Sequence, residues 1–446
     1  MDVDRCPETT LMKASAPSLM GPFLGHRTQD LVDQGYVEEE WFIEGRADAL
    51  DPHGLLLAGS APYTTRFIVR RPVDGRRSSG SVFFDPLHMI REMPASWDSA
   101  PWLMRGGHVW VGVSVHNGSF GEKYGYVGGV NALKEENPSH YGPLDLPTFS
   151  SQPPLRSFTG PAGTDSAALR WSMAMAHPQG HDIVTQVASV LRTTPAFSDL
   201  ALQRIYGCGV SQTANFWRLF LDAGWHERAR LEDGAALFDG YLLVVSGAPS
   251  ATPVDAVLVN VLSEAEAVGT IVHPCVAPPD SEHPRVRGIE FPGAPHTIGS
   301  HDVGNAGEGH SHTSERYDLL VRAVLSGMDR WVREGVPMPH APKIERDPRQ
   351  VDGIARDHNG NALGGVRVPW IEVPRGQYLP RCACGPTRGE FIPFGRERID
   401  RLYPDREVYE HHWYNAVQRL VDDRFLLPED AESLPAPSAR VPPSPG

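Results

Sequence analysis

The pentapeptide Gly209-Val210-Ser211-Gln212-Thr213 stands between an apolar run, Leu202–Cys208, and a helical pattern, Thr213–Asp222. A serine placed where a strand turns into a helix can expose its hydroxyl on a sharp backbone turn, and that turn needs small residues two positions before and after it. Gly209 meets the need. Thr213 departs from the usual glycine, although Thr213-Ala214 is still small enough to pack. The bland reading of the same residues is a helix N-cap, for which serine is also favoured. A serine hydroxyl becomes a nucleophile only when a base takes its proton and an acid orients that base. Where such a serine is catalytic, the chain order is serine, acid, histidine, the last two in loops after later strands. Val257–Leu262 ends in Ser263-Glu264-Ala265-Glu266, and Val286–Phe291 ends in Pro292-Gly293-Ala294-Pro295-His296. Glu266 is the expected acid because it lies beyond the strand end, Glu264 is its close competitor, and His296 is the expected base.

Acyl transfer also needs N–H donors facing the oxyanion. The amide of Gln212, directly after the nucleophile, is one expected donor. The other is expected from the loop after Ser81–Asp85. Pro86 has no N–H, so Leu87 is assigned, with His88 as the alternative. No metal or other cofactor is expected. His301-Asp302 and His310-Ser311-His312 are separated by a flexible glycine-rich stretch with no H-E-x-x-H helix, and read as a polar loop bordering the site. His411-His412 are neighbours on a helix and point in different directions.

Positioning these groups calls for an α/β fold. Thr65–Arg70, Ser81–Asp85, His108–Val115, Leu202–Cys208, Gly240–Val245, Val257–Leu262 and Val286–Phe291 read as strands. Trp97–Arg105, Ile183–Leu191, Thr213–Asp222, Tyr317–Glu334 and Asp405–Asp422 read as helices. Apolar strands separated by helices predict a mostly parallel central sheet covered on both faces, with ligands at the carboxyl ends of its strands. The expected organisation is an N-terminal arm over 1–30, a catalytic core over 31–346, a C-terminal extension over 347–434 packed on that core, and a disordered tail over 435–446. Within the core, 117–180 is Gly/Pro/Ser-rich and weakly periodic, as in a cap or binding insertion. Aromatics such as Phe120, Tyr141, Phe149 and Trp171 suggest a partly apolar pocket there.

The formal net charge is −14 with no dense Lys/Arg run, which disfavours nucleic acid and anionic membrane as partners. A small-molecule ester is the expected partner, and the oligomeric state is not readable. No apolar stretch approaches the roughly 20 residues of a spanning helix. MDVDRCPETTLMK has no apolar signal region. Five cysteines, an odd count, then point to reduced thiols and a cytoplasmic location. Cys382-Ala383-Cys384 is too close for an ordinary structural disulfide and lacks the second pair of a zinc site.

These residues resemble the alpha/beta hydrolase domain proteins of the Abhydrolase_10 type. The resemblance runs through Gly35–Glu40, Ala61–Arg66, Trp110–Ser114, Tyr141–Leu144, Gly209–Thr213, Ser263–Glu266, Gly293–His296 and Leu402–Pro404, and is most specific at Asn359–Arg367. It implies an α/β-hydrolase fold and carboxylic-ester hydrolysis, but no particular substrate. Two departures stand out: the segment resembling Glu-Trp-Leu-Asn reads Asp85-Pro86-Leu87-His88, and glutamate occupies a position that more often holds aspartate. Three function classes follow: an ester hydrolase, an acyltransferase of secondary metabolism using the same triad, and a non-catalytic ligand-binding relative.

Overall fold

The computed structural model describes residues 10–13, 29–50, 56–88, 92–117, 129–147, 149, 177–250, 252–269, 283–298, 315–382 and 387–437. Most of the 117–180 insertion, the histidines at 301, 310 and 312, and residues 438–446 lie outside them. The chain divides into two compact units, Met1–Leu243 with Pro249–Leu258, and Val244–Ala248 with Val259–Gly446. That division differs from the expected boundary at 346/347.

In the first unit, Thr10–Lys13 (β1), Tyr36–Leu50 (β2) and Leu56–Pro72 (β3) form an antiparallel ribbon. Ser81–Pro86 (β4), Val109–Val113 (β5), Arg204–Val210 (β6) and Gly240–Val244 (β7) follow. The strands lie in the order β1-β2-β3-β5-β4-β6-β7, with β5 antiparallel to β3 and β4 parallel to both β5 and β6. Strands β4 and β5 are buried along their whole length, as expected of a sheet covered on both faces. Ala100–Arg105 (α1), Gly129–Glu136 (α2), Gly180–Thr193 (α3) and Gln212–Asp222 (α4) add apolar faces, such as Ile183, Val184 and Val187 of α3.

Strand β2, which carries the run of like charges Glu38-Glu39-Glu40, is not among the strands expected from the sequence. The structure neutralises that run across the ribbon. Arg70 Nε donates to Glu38 (2.8 Å), Arg71 Nη2 to Glu39 (3.0 Å) and Arg66 Nη1 to Glu40 (2.7 Å). Arg66 has no exposed surface. Its Nε donates to Ser114 Oγ (3.1 Å), its Nη1 also to Tyr141 Oη (3.0 Å), and its Nη2 lies 3.6 Å from Glu92. Tyr141, expected among pocket aromatics, is therefore part of this buried charge network.

The second unit contains most of Val257–Ser263 (β8), Glu264–Ala267 (α5), Val286–Phe291 (β9), Tyr317–Glu334 (α6), the antiparallel hairpin Gly376–Leu379 (β10) and Glu390–Pro393 (β11), and Arg406–Asp422 (α7). Val245 N–H donates to Val261 O (2.7 Å), and Asn260 Nδ2 to Ser246 O (2.8 Å), joining the segment after β7 to β8. Residues 344–364 fold back on themselves through the bridges Ile344↔Gly364, Arg346↔Ile354 and Arg356↔Ala362. They pack Ile344, Ile354 and Ala362 against Ala267 and Val268.

Cys382 is disulfide-bonded. This corrects the expectation that the thiols are all reduced, and with it goes the thiol argument for a reducing compartment; Cys384 is outside the described residues. Cys208 is a buried free thiol. Among the described residues no helix is long and apolar enough to cross a membrane. Losing one partner of a buried ion pair strands the other charge, at about 3–5 kcal/mol. Arg66→Ala should therefore lower the unfolding free energy by that amount in urea titrations, and a loss below about 1 kcal/mol would contradict the buried-network account.

Candidate active site

Ser211 is the N-cap of α4 and adopts φ 58°, ψ −116°. A non-glycine residue in the positive-φ region costs on the order of 1–3 kcal/mol and persists only where its surroundings hold it. Those surroundings are specific. A Cβ at Gly209 would lie 2.4 Å from Thr213 C and O and from Ala214 N, so only glycine fits two residues before the serine. Thr213 Oγ1 accepts from Val210 N–H (2.8 Å) and donates to Val210 O (3.0 Å), closing the turn with its own side chain. The threonine that departs from the usual glycine thus acts as a staple. Below the turn, Trp217 Nε1 donates to Cys208 O (2.8 Å). Phe216, Trp217 and Phe220 bury α4 among Phe84, Phe238 and Tyr241.

Gln212 opens α4, where the amides of the first turn have no acceptor within the helix. Its side chain is buried, with Nε2 3.5 Å from Nε2 of His116. His116, at the end of the β5 segment, carries no motif and was not singled out from the sequence. Leu87 needs correction as an oxyanion donor. It is fully buried, and its N–H donates to Val113 O (2.8 Å), while His88 N–H donates to Met93 O (3.0 Å). Amides already bonded in this way have no proton to offer an oxyanion. Sequence can identify which residue lacks an N–H, as at Pro86, but not which N–H is already engaged.

The loop after β4 is held instead by buried acids. Asp85 Oδ2 accepts from Ser96 N–H and Oγ–H (both 2.8 Å). Glu92, at φ 51°, accepts from Gly129 N–H (3.0 Å) and from Ser114 Oγ–H.

In the second unit the structure brings Glu266 and His296 together. Ser263 and Glu266 form a capping box on the single turn of α5. Glu266 Oε2 accepts from Ser263 N–H (3.1 Å) and Oγ–H (2.5 Å), and Oε1 accepts from His296 Nδ1–H (2.6 Å). With its carboxylate 2% exposed and both oxygens bonded, Glu266 is rigidly aimed. A proton held on Nδ1 leaves Nε2 as the basic nitrogen of His296. Glu264 serves elsewhere: Oε2 accepts from Gly293 N–H (2.6 Å) and Oε1 from Arg356 Nη2 (2.7 Å). Burial pushes its carboxyl up, against the opposing pull of Arg356. Ser211 and Gln212 belong to the first unit. Among the described residues no cluster of His, Cys, Asp and Glu could hold a metal ion. His411 and His412 are exposed on α7.

The family model described as an alpha/beta hydrolase domain matches residues 8–436. A crystal structure of a rice cell wall degrading esterase, LipA, from Xanthomonas oryzae covers 47% of this chain at 12% identity, with a TM-score of 0.24. The match spans 42% of that esterase. No curated protein matches the chain.

Burial pushes the Asp85 carboxyl up to about 7, against about 3.9 in an unfolded chain. Between those values the folded state keeps a proton that the unfolded state releases, so stability falls as pH rises from about 4 to about 7 and levels off above. Asp85→Asn should flatten that slope, with its largest gain over the parent near pH 8. Identical urea midpoints for parent and variant at pH 5 and at pH 8 would refute the assignment.

Proposed function

The chain belongs to the alpha/beta hydrolase domain family, and on that premise we propose that it is a serine hydrolase cleaving carboxylic esters. It has the α/β-hydrolase fold, a mostly parallel sheet with helices. The observation that carries the proposal is the backbone of Ser211, a non-glycine residue held at a costly conformation at a strand–helix junction. A helix N-cap needs no such strain, since cap residues ordinarily sit in the extended region.

In the proposed reaction Ser211 Oγ attacks the ester carbonyl while His296 Nε2 takes its proton. Glu266 holds the imidazole in the required tautomer and stabilises the imidazolium. The amide of Gln212 donates to the oxyanion. His296 then returns the proton to the departing alcohol, leaving an acyl group on Ser211. Water, deprotonated by the same histidine, attacks the acyl carbon; the bond to Ser211 Oγ breaks, the histidine returns the proton to that oxygen, and the acid departs. The Nδ1–carboxylate bond of 2.6 Å supports the roles given to Glu266 and His296.

Ser211→Ala should lower turnover of p-nitrophenyl esters by about 10⁶ and abolish labelling by a fluorophosphonate. Retained labelling of a folded Ser211→Ala sample would remove the serine from its role. An amide at position 266 cannot neutralise an imidazolium, so Glu266→Gln should reduce kcat by about 10⁴. A loss below about tenfold would end the assignment of Glu266 as the orienting acid.

A further inference from the structure

The histidine loop is gripped at three points by the four residues of α5. Glu264 takes Gly293 N–H (2.6 Å), Ala265 N–H reaches Ala294 O (3.2 Å), and Glu266 takes His296 Nδ1–H (2.6 Å). A helix of one turn has no stability of its own in water, so the precision of this grip is borrowed from whatever holds α5. Its start is held by the Ser263 capping box, its end by Arg346 Nη1 donating to Ala267 O (2.8 Å), and its apolar side by Ile344, Ile354 and Ala362. The remaining anchor is an ion pair. Glu264 has no exposed surface, and the cation facing it is Arg356, which also bonds Asp352.

We propose that Arg356 is a positioning residue for the Glu266–His296 pair and acts through Glu264. The inference rests on the reading of His296 as the base. Arg356 is the cation that opposes the burial of the Glu264 carboxyl and holds one of its oxygens, while the other oxygen draws in the Gly293 amide three residues before His296. Gly293 sits at φ 73°, where its neighbours Ile371, Tyr378 and Tyr317 leave no space for a side chain, so the loop turns tightly and transmits its placement to His296. Without the guanidinium, a charge on Glu264 would be stranded in the interior. Its carboxyl would then take up a proton or shift toward water, and in either case the pull on Gly293 N–H would weaken. Asn359–Arg367, the stretch in which the sequence resembles its family most specifically, lies in the same fold-back: Ala362 bridges Arg356 and packs against Ala267. Its role on this account is to brace the acid and the base from behind.

The test uses the full-length protein as Arg356→Gln, Arg356→Lys, Glu264→Gln and the double variant E264Q/R356Q. Two readouts are taken: steady-state kinetics on a p-nitrophenyl ester, and the NMR titration of the His296 ring, assigned through His296→Asn. Arg356→Gln should lower kcat about 10- to 100-fold while KM stays within about threefold, as for a misplaced catalytic group rather than lost substrate binding. It should also move the His296 titration midpoint, a change that loss of stability alone would not produce in a folded sample. Arg356→Lys should recover most of kcat. The double variant should be no worse than the poorer single variant, because both changes remove one interaction. Wild-type kcat and an unmoved His296 titration in Arg356→Gln would overturn the proposal, as would losses that multiply in the double variant. If Arg356→Gln does not fold, Glu264→Gln carries the same comparison, and wild-type values there overturn it equally. Should Ser211→Ala keep its activity, the assignment of the serine fails, yet the His296 titration still reads the coupling to Arg356.

Discussion

A serine held at φ 58°, ψ −116° stores strain that the chain around it has to offset. Much of the first unit can be understood as that offset. Gly209 allows the helix to start against the strand without a clash, Thr213 ties its hydroxyl to both backbone groups of Val210, and Trp217 anchors the strand through the Cys208 carbonyl. Phe216, Trp217 and Phe220 then lock the helix among Phe84, Phe238 and Tyr241. Strain at one residue is tolerated because aromatic packing on several sides leaves the backbone no relaxed alternative.

The second unit solves a related problem with charge rather than apolar packing. A carboxylate that is to orient an imidazole must be fixed and must stay ionised where little water reaches it. Glu266 is fixed in place by hydrogen bonds from Ser263 at the start of a helical turn. Glu264, two residues earlier on the same turn, pairs with Arg356 and gives its other oxygen to Gly293. Two glutamates that look equivalent in sequence thus hold different parts of the loop. Glu266 touches the histidine ring, and Glu264 touches the backbone that leads to it.

The parts of this arrangement legible in the sequence were those encoded by local residue type and order. Gly209, Ser211 and the strand–turn–helix context mark a turn that few other residues could make. Glu and His segments after later apolar runs mark the expected sequence of acid and base. What failed did so for identifiable reasons. Strand β2 was not expected, since three successive glutamates can lie in a strand only when Arg66, Arg70 and Arg71 of β3 neutralise them. Leu87 was assigned as a donor because it has an N–H, and lost that role because Val113 O already holds it. His116 gave no signal at all, since a lone histidine after a strand resembles any other.

The residue order, the glycine two positions before the serine and the apolar runs were therefore decided by sequence alone, because backbone sterics and hydrophobic burial act through residue type over short spans. Which amides are already bonded and which arginine neutralises which acid were decided only by the tertiary structure. Those outcomes depend on distances of a few ångströms between residues as far apart in the chain as Glu264 and Arg356. Hydrogen bonds and ion pairs fall away within that range, so sequence can name the partners available but not the ones that meet.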